Sequence, residues 1–496
     1  MYIRNYDKNI RPFRAICDCS FGRKVIYTNA TKIDETNIVS ELDKALVIHN
    51  QNAEEIDYLD RYYRGDQPIL YRAKKIRPEV NHKVVVNLAK KAVDTHTAEI
   101  AGEPIQYVLR GTDEKKSQEI TDLNKMMDGE DKEENDIELC RWRSICGTAY
   151  RFVGKNETDD KLLDESAFWL SVEEPNSTFV AYYADNKKPA FSCQIRKDTE
   201  NNKLYFIYTN SLYFIISKGQ IIEQGPNGNG AIPVIEYPNN SRRLSDIEIT
   251  ISITDEINAM ASDRGNGIEQ FVSAWIKFVN CEIDSEEFEK MRAMGALQVK
   301  SNNAENKAEV DVMTSELNQT QTQVAMDDLV ENFLVVQGMP NRQGNGGADT
   351  GSAVERRNGH FEAEQMAEIV EPIFKKAERA MLRIVLKRLK TKKDFSLMPS
   401  DVEIKISRSK SDNMLTKAEC LQILLNVGVA PARAIKTVGL FSDPEQVAVE
   451  SAKRMNILYP TTVKESNDDA EDKPTDNTDT GKDVGNDGKL TNRLPR

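Results

Sequence analysis

The sequence predicts an α+β fold that is predominantly α-helical, and three stretches carry that prediction. Between Phe168 and Glu223, short runs alternate apolar and polar residues, the period of a half-buried strand. From Ser245 to Trp275, and again from Phe361 to Leu389, apolar residues recur at helical spacing. The strand-like runs gather in the first half and the longest helices in the second, so the two classes are segregated rather than alternating.

Length and charge bound what such a chain can be. Its 496 residues are enough for roughly two to four packed modules. At 39% hydrophobic and 30% charged, it reads as soluble and globular. No apolar run reaches the ~18 residues that span a bilayer, so no membrane partner is expected. The first residues lack the apolar core of a signal peptide, which argues for a cytoplasmic origin. The seven cysteines are scattered, at 17, 19, 140, 146, 193, 281 and 420. Cys17 and Cys19 are too close for an ordinary disulfide, and no C-x-x-C pair starts a zinc site, so free thiols in a reducing compartment are expected. The net charge of −13 argues against a surface that grips nucleic acid broadly, though not against one that surrounds DNA and lets it slide.

Residues 1–39 give little to read. Leu42, Leu46, Ile56 and Leu59 mark a helix from Glu41 to Tyr63, stopped by Gly65 and Pro68. A basic linker, Arg72 to Arg77, leads through Val84–Asn87 into a helix ending near Ala101. Segment 112–135 reads as a helix flanked by loops, and Cys140 to Val153 as buried. The strand-like runs 179–183, 190–196, 203–209, 211–217 and 220–223 form an antiparallel meander, and 232–237 is a further strand. Ser245 with Glu248 is a capping box that opens the 245–275 helix. Gly265 and Gly267 weaken its interior by ~1 kcal/mol each, so a compensating contact or close packing is expected there. Residues 281–312 form a small α/β unit, helical at 284–294 and strand-like at 297–300 and 309–312. A helix at 315–337 ends at Gly338 and Pro340. After the glycine-rich segment 338–351, Ser352 and Glu355 form a second capping box. They start a helix to Lys392, ~60 Å long, in which Pro372 should produce a kink near Ile369. Residues 402–407 alternate like one more strand, returning toward the first half. Thr416 with Glu419 is a third capping box, opening a compact helical segment. From Glu465 onward almost nothing is apolar, and disorder is expected.

Motifs for chemistry are scarce. No Walker-type sequence is present. The glycines at 344, 346, 347 and 351 suggest a phosphate cradle, but that cradle needs a preceding strand and here a helix precedes it, so a flexible connector fits better. The histidines at 49, 82, 96 and 360 share no metal-ligand spacing. Adjacent carboxylates such as Asp327 and Asp328 read as solvated rather than as an acid–base pair. No enzyme and no cofactor are expected.

The segment Tyr62, Tyr63, Arg64, Gly65, Asp66, Gln67, Pro68 and Ile69 is followed by Gly102, Glu103, Pro104 and Ile105. Ile232 to Glu236 then leads into Ser245, Asp246 and Ile247. In these motifs and their order, over roughly residues 40–455, the chain resembles the portal proteins of tailed bacteriophages, of the type found in long-tailed phages of Gram-positive hosts. The resemblance implies a multi-domain ring of twelve subunits at one capsid vertex of the virion, assembled in the host cytoplasm. Double-stranded DNA would be packaged through it by the terminase large subunit and later ejected. A head–tail connector or adaptor protein, the scaffold and the major capsid protein would be further partners. It implies a wing at 40–240, joined by 402–407, and stem helices at 241–275 and 313–338. It further implies a clip at 276–312, a tunnel loop at 339–351, a long kinked helix at 352–392 and a crown at 412–464. A disordered acidic tail would occupy 465–496, and 1–39 stays unassigned. Asn341, Arg342, Gln343, Gly344, Asn345, Gly346 and Gly347 would face DNA. Asp255, Glu256, Asp263, Asp327, Asp328 and Glu331 are the channel-wall candidates. The alternatives are a nuclease or transferase using the acidic residues near 327–331, and a helical adaptor protein.

Overall fold

The structure is a computed structural model. It describes residues 21–75, 78–111, 113–156, 166–272, 319–340, 360–392, 395–407, 414–439, 441 and 444–458, with the strand segments 275–279, 281–282, 300–301 and 309–313. The expected helix at 284–294, most of the glycine-rich segment, the Ser352–Glu355 box and the acidic tail lie outside the described residues.

The chain enters through a strand, β1 (Ile26–Thr28), where sequence reading left 1–39 unassigned. Helix α1 (Ile38–Tyr63) follows, beginning three residues before the expected Glu41. Its buried stripe, Ile38, Leu42 and Ala45, packs on β1 and on the six-stranded sheet below. Helix α2 (Leu88–Ala101) is capped by Asn87, whose side chain accepts from the Lys90 amide. After β2 (Gln106–Leu109) the expected single helix over 112–135 is in fact two: α3 (Glu114–Gly129) and α4 (Lys132–Cys146). Asp131 between them takes a left-handed conformation, φ 49°, which ends one helix and redirects the next.

Strands β3 (Thr148–Lys155) and β4 (Phe168–Glu173) pair with each other. Strands β5 (Thr178–Tyr183), β6 (Pro189–Lys197), β7 (Lys203–Tyr208), β8 (Leu212–Ser217) and β9 (Gln220–Pro226) form the meander, each antiparallel to the last. β1 adds to its β5 edge in parallel, Ile26 opposite Ala181. Its inward residues Phe179, Phe191, Ile207 and Phe214 are all buried beneath α1. Strand β10 (Val234–Pro238) joins β3 and β4 in a separate three-stranded sheet.

Helix α5 (Ile251–Val272) starts six residues later than the Ser245–Glu248 box suggests. The box is present: Glu248 accepts from the Ser245 amide at 2.8 Å, and Ser245 Oγ accepts from the Ile247 amide at 3.0 Å. Glu248 is also held by Arg23 at 2.5 Å, and the Asp246 carbonyl is taken by Gln337. These outside partners hold 246–250 as turns before the helix begins. Trp275 is not helical either; it opens β11 (Trp275–Val279), which after β12 (Cys281–Glu282) and β13 (Lys300–Ser301) pairs with β14 (Glu309–Met313), Trp275 opposite Met313. The described part of the helix expected at 315–337 is α6 (Gln319–Val336), and the described part of the long helix is α7 (His360–Lys392). Strand β15 (Val402–Lys405) pairs antiparallel with β2, so it returns to the first half as a two-stranded sheet of its own. Helices α8 (Met414–Asn426), α9 (Pro431–Val438) and α10 (Pro444–Leu458) follow. α8 is already turning at Met414, so Thr416 is not its N-cap.

The principal core surrounds α7. Phe374, Met381, Leu382, Val385 and Leu389 pack against α3, α4, the β3–β4–β10 sheet and the β2–β15 pair. Among the described residues, no helix is long and apolar enough to cross a membrane.

Candidate functional site

Three long helices, α5, α6 and α7, flank the base of the glycine-rich segment, and each is fixed to the body differently. α5 is held by a strap. Asn258, Ser262 and Asn266 are four residues apart on one face and essentially buried. Their side-chain oxygens accept from the backbone amides of Val86 at 2.7 Å, Val84 at 2.9 Å and His82 at 2.7 Å. The match is metrical: four residues of helix rise about 6 Å and two residues of extended chain about 6.6 Å, so 82–86 can run antiparallel along α5 and place every second amide on an acceptor. Asn258 also donates to Gln67 at 2.6 Å, tying in the turn after α1. A Cβ on Gly265 would lie 3.2 Å from the His82 ring, so this glycine gives the strap room. The expected compensation for the helix-weakening glycine is thus a close-packed neighbouring chain.

α6 ends in a Schellman motif. The Met339 amide donates to Leu334 O at 2.9 Å and the Gly338 amide to Val335 O at 3.1 Å, with Gly338 at φ +61°. The apolar contact such a motif favours is there, since Met339 and Leu334 are buried together with Phe333 and Ala92 of α2. Gly338 is required twice over, because a Cβ would meet Met366 Sδ at 2.1 Å. Met366 belongs to α7, so the helices on either side of the glycine-rich segment touch at its base.

Gln337 sits at this junction, 2% exposed. Its Nε2 donates to the Asp246 carbonyl at 2.7 Å and to Thr250 Oγ1 at 2.8 Å, both in the turns that precede α5. Its Oε1 lies 3.1 Å from His96 Nε2, and His96 Nδ1 lies 3.1 Å from Glu99 Oε2. Burial works against a charged imidazole, but the Glu99 hydrogen bond and the charges of Asp246 and Glu99 outweigh it and raise the His96 pKa to about 9.

α7 is fixed by charge. Glu378, fully buried, is 2.8 Å from Lys132 Nζ and 3.4 Å from Arg151, and accepts from the Tyr107 hydroxyl at 2.5 Å and the Tyr237 hydroxyl at 2.7 Å. Asp136 pairs with Lys132 at 2.5 Å and with Arg151. Two cations and two anions cancel, the condition under which a buried ionic cluster is tolerated. Burial pushes the Glu378 carboxyl upward, yet the Lys132 and Arg151 charges hold it well below the usual carboxylate range. Toward its start α7 leaves the core: Ile369 is 73% exposed where Phe374 is 0%. Pro372 lies inside the helix at that transition.

The residues singled out from sequence are dispersed. Asn341, Arg342, Gln343, Gly344, Asn345, Gly346 and Gly347 lie outside the described residues. Asp255 turns toward α1 and accepts from the Tyr62 hydroxyl at 3.0 Å. Asp263 is exposed but pairs with Arg72 at 2.8 Å. Glu256, Asp327, Asp328 and Glu331 are exposed, and Asp327 accepts from Gln323 at 2.7 Å. Gln323 in turn accepts from Arg264 at 2.7 Å, linking α5 to α6. Among the described residues, no group of three or more His, Cys, Asp or Glu is placed to hold a metal ion. Sequence reading missed Gln337, His96 and the Asn258–Ser262–Asn266 stripe. The stripe had a signal, small polar residues at i, i+4 and i+8 in an apolar helix; the His96–Gln337 pair, 241 residues apart, had none.

A family model described as "Phage portal protein, SPP1 Gp6-like" matches residues 42–456. No curated protein matches the chain. Among solved structures, the chain is similar to a protein of the neck of a native GTA particle computed with C12 symmetry. The identity there is 13% and the TM-score 0.43, over 71% of this chain and 89% of that one. It is also similar to one from the neck of an empty GTA particle computed with C6 symmetry, at 11% identity and TM-score 0.45, over 71% and 90%.

Proposed function

Because this chain belongs to the phage portal protein family of the SPP1 Gp6-like type, we propose that it forms a ring of twelve at one vertex of a virion capsid. Double-stranded DNA passes through that ring, inward during packaging by the terminase and outward on ejection. The observation that carries this reading is the family match over 42–456, which takes in α5, α6, the glycine-rich segment and α7 together. The chemistry of the surface is compatible. Val335 and Ile369 are 64% and 73% exposed, the kind of apolar surface a neighbouring copy covers. A net charge of −13 on every subunit disfavours tight phosphate binding, as a sliding channel requires.

In this reading α5 and α6 are the stem, 276–312 the clip that meets the terminase and later the head–tail connector, and 339–351 the tunnel loop. Asn341, Arg342 and Gln343 meet the phosphates in passing. Glu256, Asp327, Asp328 and Glu331 are exposed enough to line a channel, whereas Asp255 is engaged by Tyr62. The protein is structural rather than catalytic. Replacing Arg342 by alanine, or deleting 343–347, is expected to impair DNA packaging while rings still assemble. Normal packaging by both variants would remove the loop from the mechanism.

A further inference from the structure

The donor and acceptor inventory at the base of the glycine-rich segment fixes the state of one histidine. Both hydrogens of Gln337 Nε2 are used, one on the Asp246 carbonyl at 2.7 Å and one on Thr250 Oγ1 at 2.8 Å. Turning the amide over would set Gln337 Oε1 against the Asp246 carbonyl, oxygen facing oxygen. Gln337 Oε1 therefore faces His96 Nε2 and can only accept. On the other side of the ring, His96 Nδ1 faces a Glu99 carboxylate oxygen, which also accepts. An imidazole that must donate from both nitrogens is an imidazolium.

We propose that His96, as an imidazolium, is the positioning residue for the glycine-rich segment: it clamps Gln337, and through Gln337 the point from which that segment leaves α6. The clamp joins three elements. Glu99 and His96 belong to α2, Asp246 and Thr250 to the turns before α5, and Gln337 ends α6. The charged groups facing the ring are Glu99 from its own helix and Asp246 from the turns, both anionic, while α6 contributes the neutral Gln337. Gln337 directly precedes Gly338, whose contact with Met366 brings α7 to the same place. Releasing the clamp leaves Gln337 held only by Asp246 and Thr250 and strips one tertiary hold from the Schellman turn, without touching the Glu378 cluster or the strap. The raised His96 pKa agrees with the geometry and keeps the clamp closed at neutral pH.

The consequence for DNA passage rests on the portal reading above; the clamp itself does not. The two are separated by measuring them separately on the assembled full-length protein. Deuterium uptake by mass spectrometry at pH 7 reports on peptides covering 333–340. His96→Gln keeps a donor for Gln337 but loses the charge facing Glu99, and it is expected to speed exchange of the 337–339 amides about tenfold while β3 exchanges unchanged. Unchanged uptake at 337–339 overturns the proposal. Should His96→Gln fail to fold, the unaltered protein still decides: C2–H exchange of histidine, read on the same instrument, is expected to titrate at about 9 for His96. A midpoint at or below 6.5 overturns the clamp. If the root loosens in His96→Gln and packaging is nevertheless normal, the clamp stands and the DNA-facing role of the loop falls.

Discussion

At His96 two acceptors flank one ring, and the pH dependence of stability follows from that arrangement. Its folded pKa is raised from 6.5 to about 9, so the folded state binds a proton more tightly than the unfolded chain does. The sign is then fixed: the added stability is present in full below pH 6.5 and is lost as pH rises toward 9. Thermal unfolding of the unaltered protein and of His96→Gln is expected to differ most near pH 6 and to converge by pH 9; a constant gap would contradict it. Glu378 makes an independent prediction. Glu378→Gln leaves Lys132 and Arg151 facing Asp136 alone, an uncompensated buried cation. The cost is about 3–5 kcal/mol, read as a lower midpoint in urea unfolding. A loss below about 1 kcal/mol would mean that Tyr107 and Tyr237, not the charges, hold α7 in place.

At the scale of elements, what the sequence made legible follows a physical rule. Period and punctuation were enough for the meander and for the bodies of α1, α2, α5, α6 and α7, because their apolar stripes are local. Boundaries failed where a tertiary partner intervened: Glu248 is claimed by Arg23, so its capping box holds turns rather than starting α5. β1 was invisible because three residues added in parallel to a sheet edge carry no period of their own. The strap was half visible, since Gly265 called for a close neighbour but could not name residues 82–86. Of the candidate site, the root of the glycine-rich segment was not legible, because His96 and Gln337 meet across 241 residues. Two predictions belong here. Asn258→Ala strands the half-buried Val86 amide and is expected to cost about 1 kcal/mol, with faster deuterium uptake across 82–87 as the check. Gly338→Ala places a Cβ on Met366 and strains a left-handed residue, and Met366→Ala removes the first of these faults. The double variant is therefore expected to be less destabilised than the sum of the single ones, and strict additivity would deny the contact.

For the whole molecule, α7 joins two environments. Its later turns, anchored at Glu378, are locked into the α/β body, while its earlier described turns expose Met366 and Ile369 and bury Ala367. α5 and α6 are tethered to the same body through the strap and the His96–Gln337 clamp. All three helices are thus tied to one body, α6 and α7 meeting at Gly338 and Met366. Electron microscopy of the purified full-length protein tests this most directly. Class averages are expected to show closed rings with a central hole, twelve subunits around it in the assembled capsid. Particles that remain monomeric or irregular under every salt and protein concentration, with no central hole, would contradict the portal assembly.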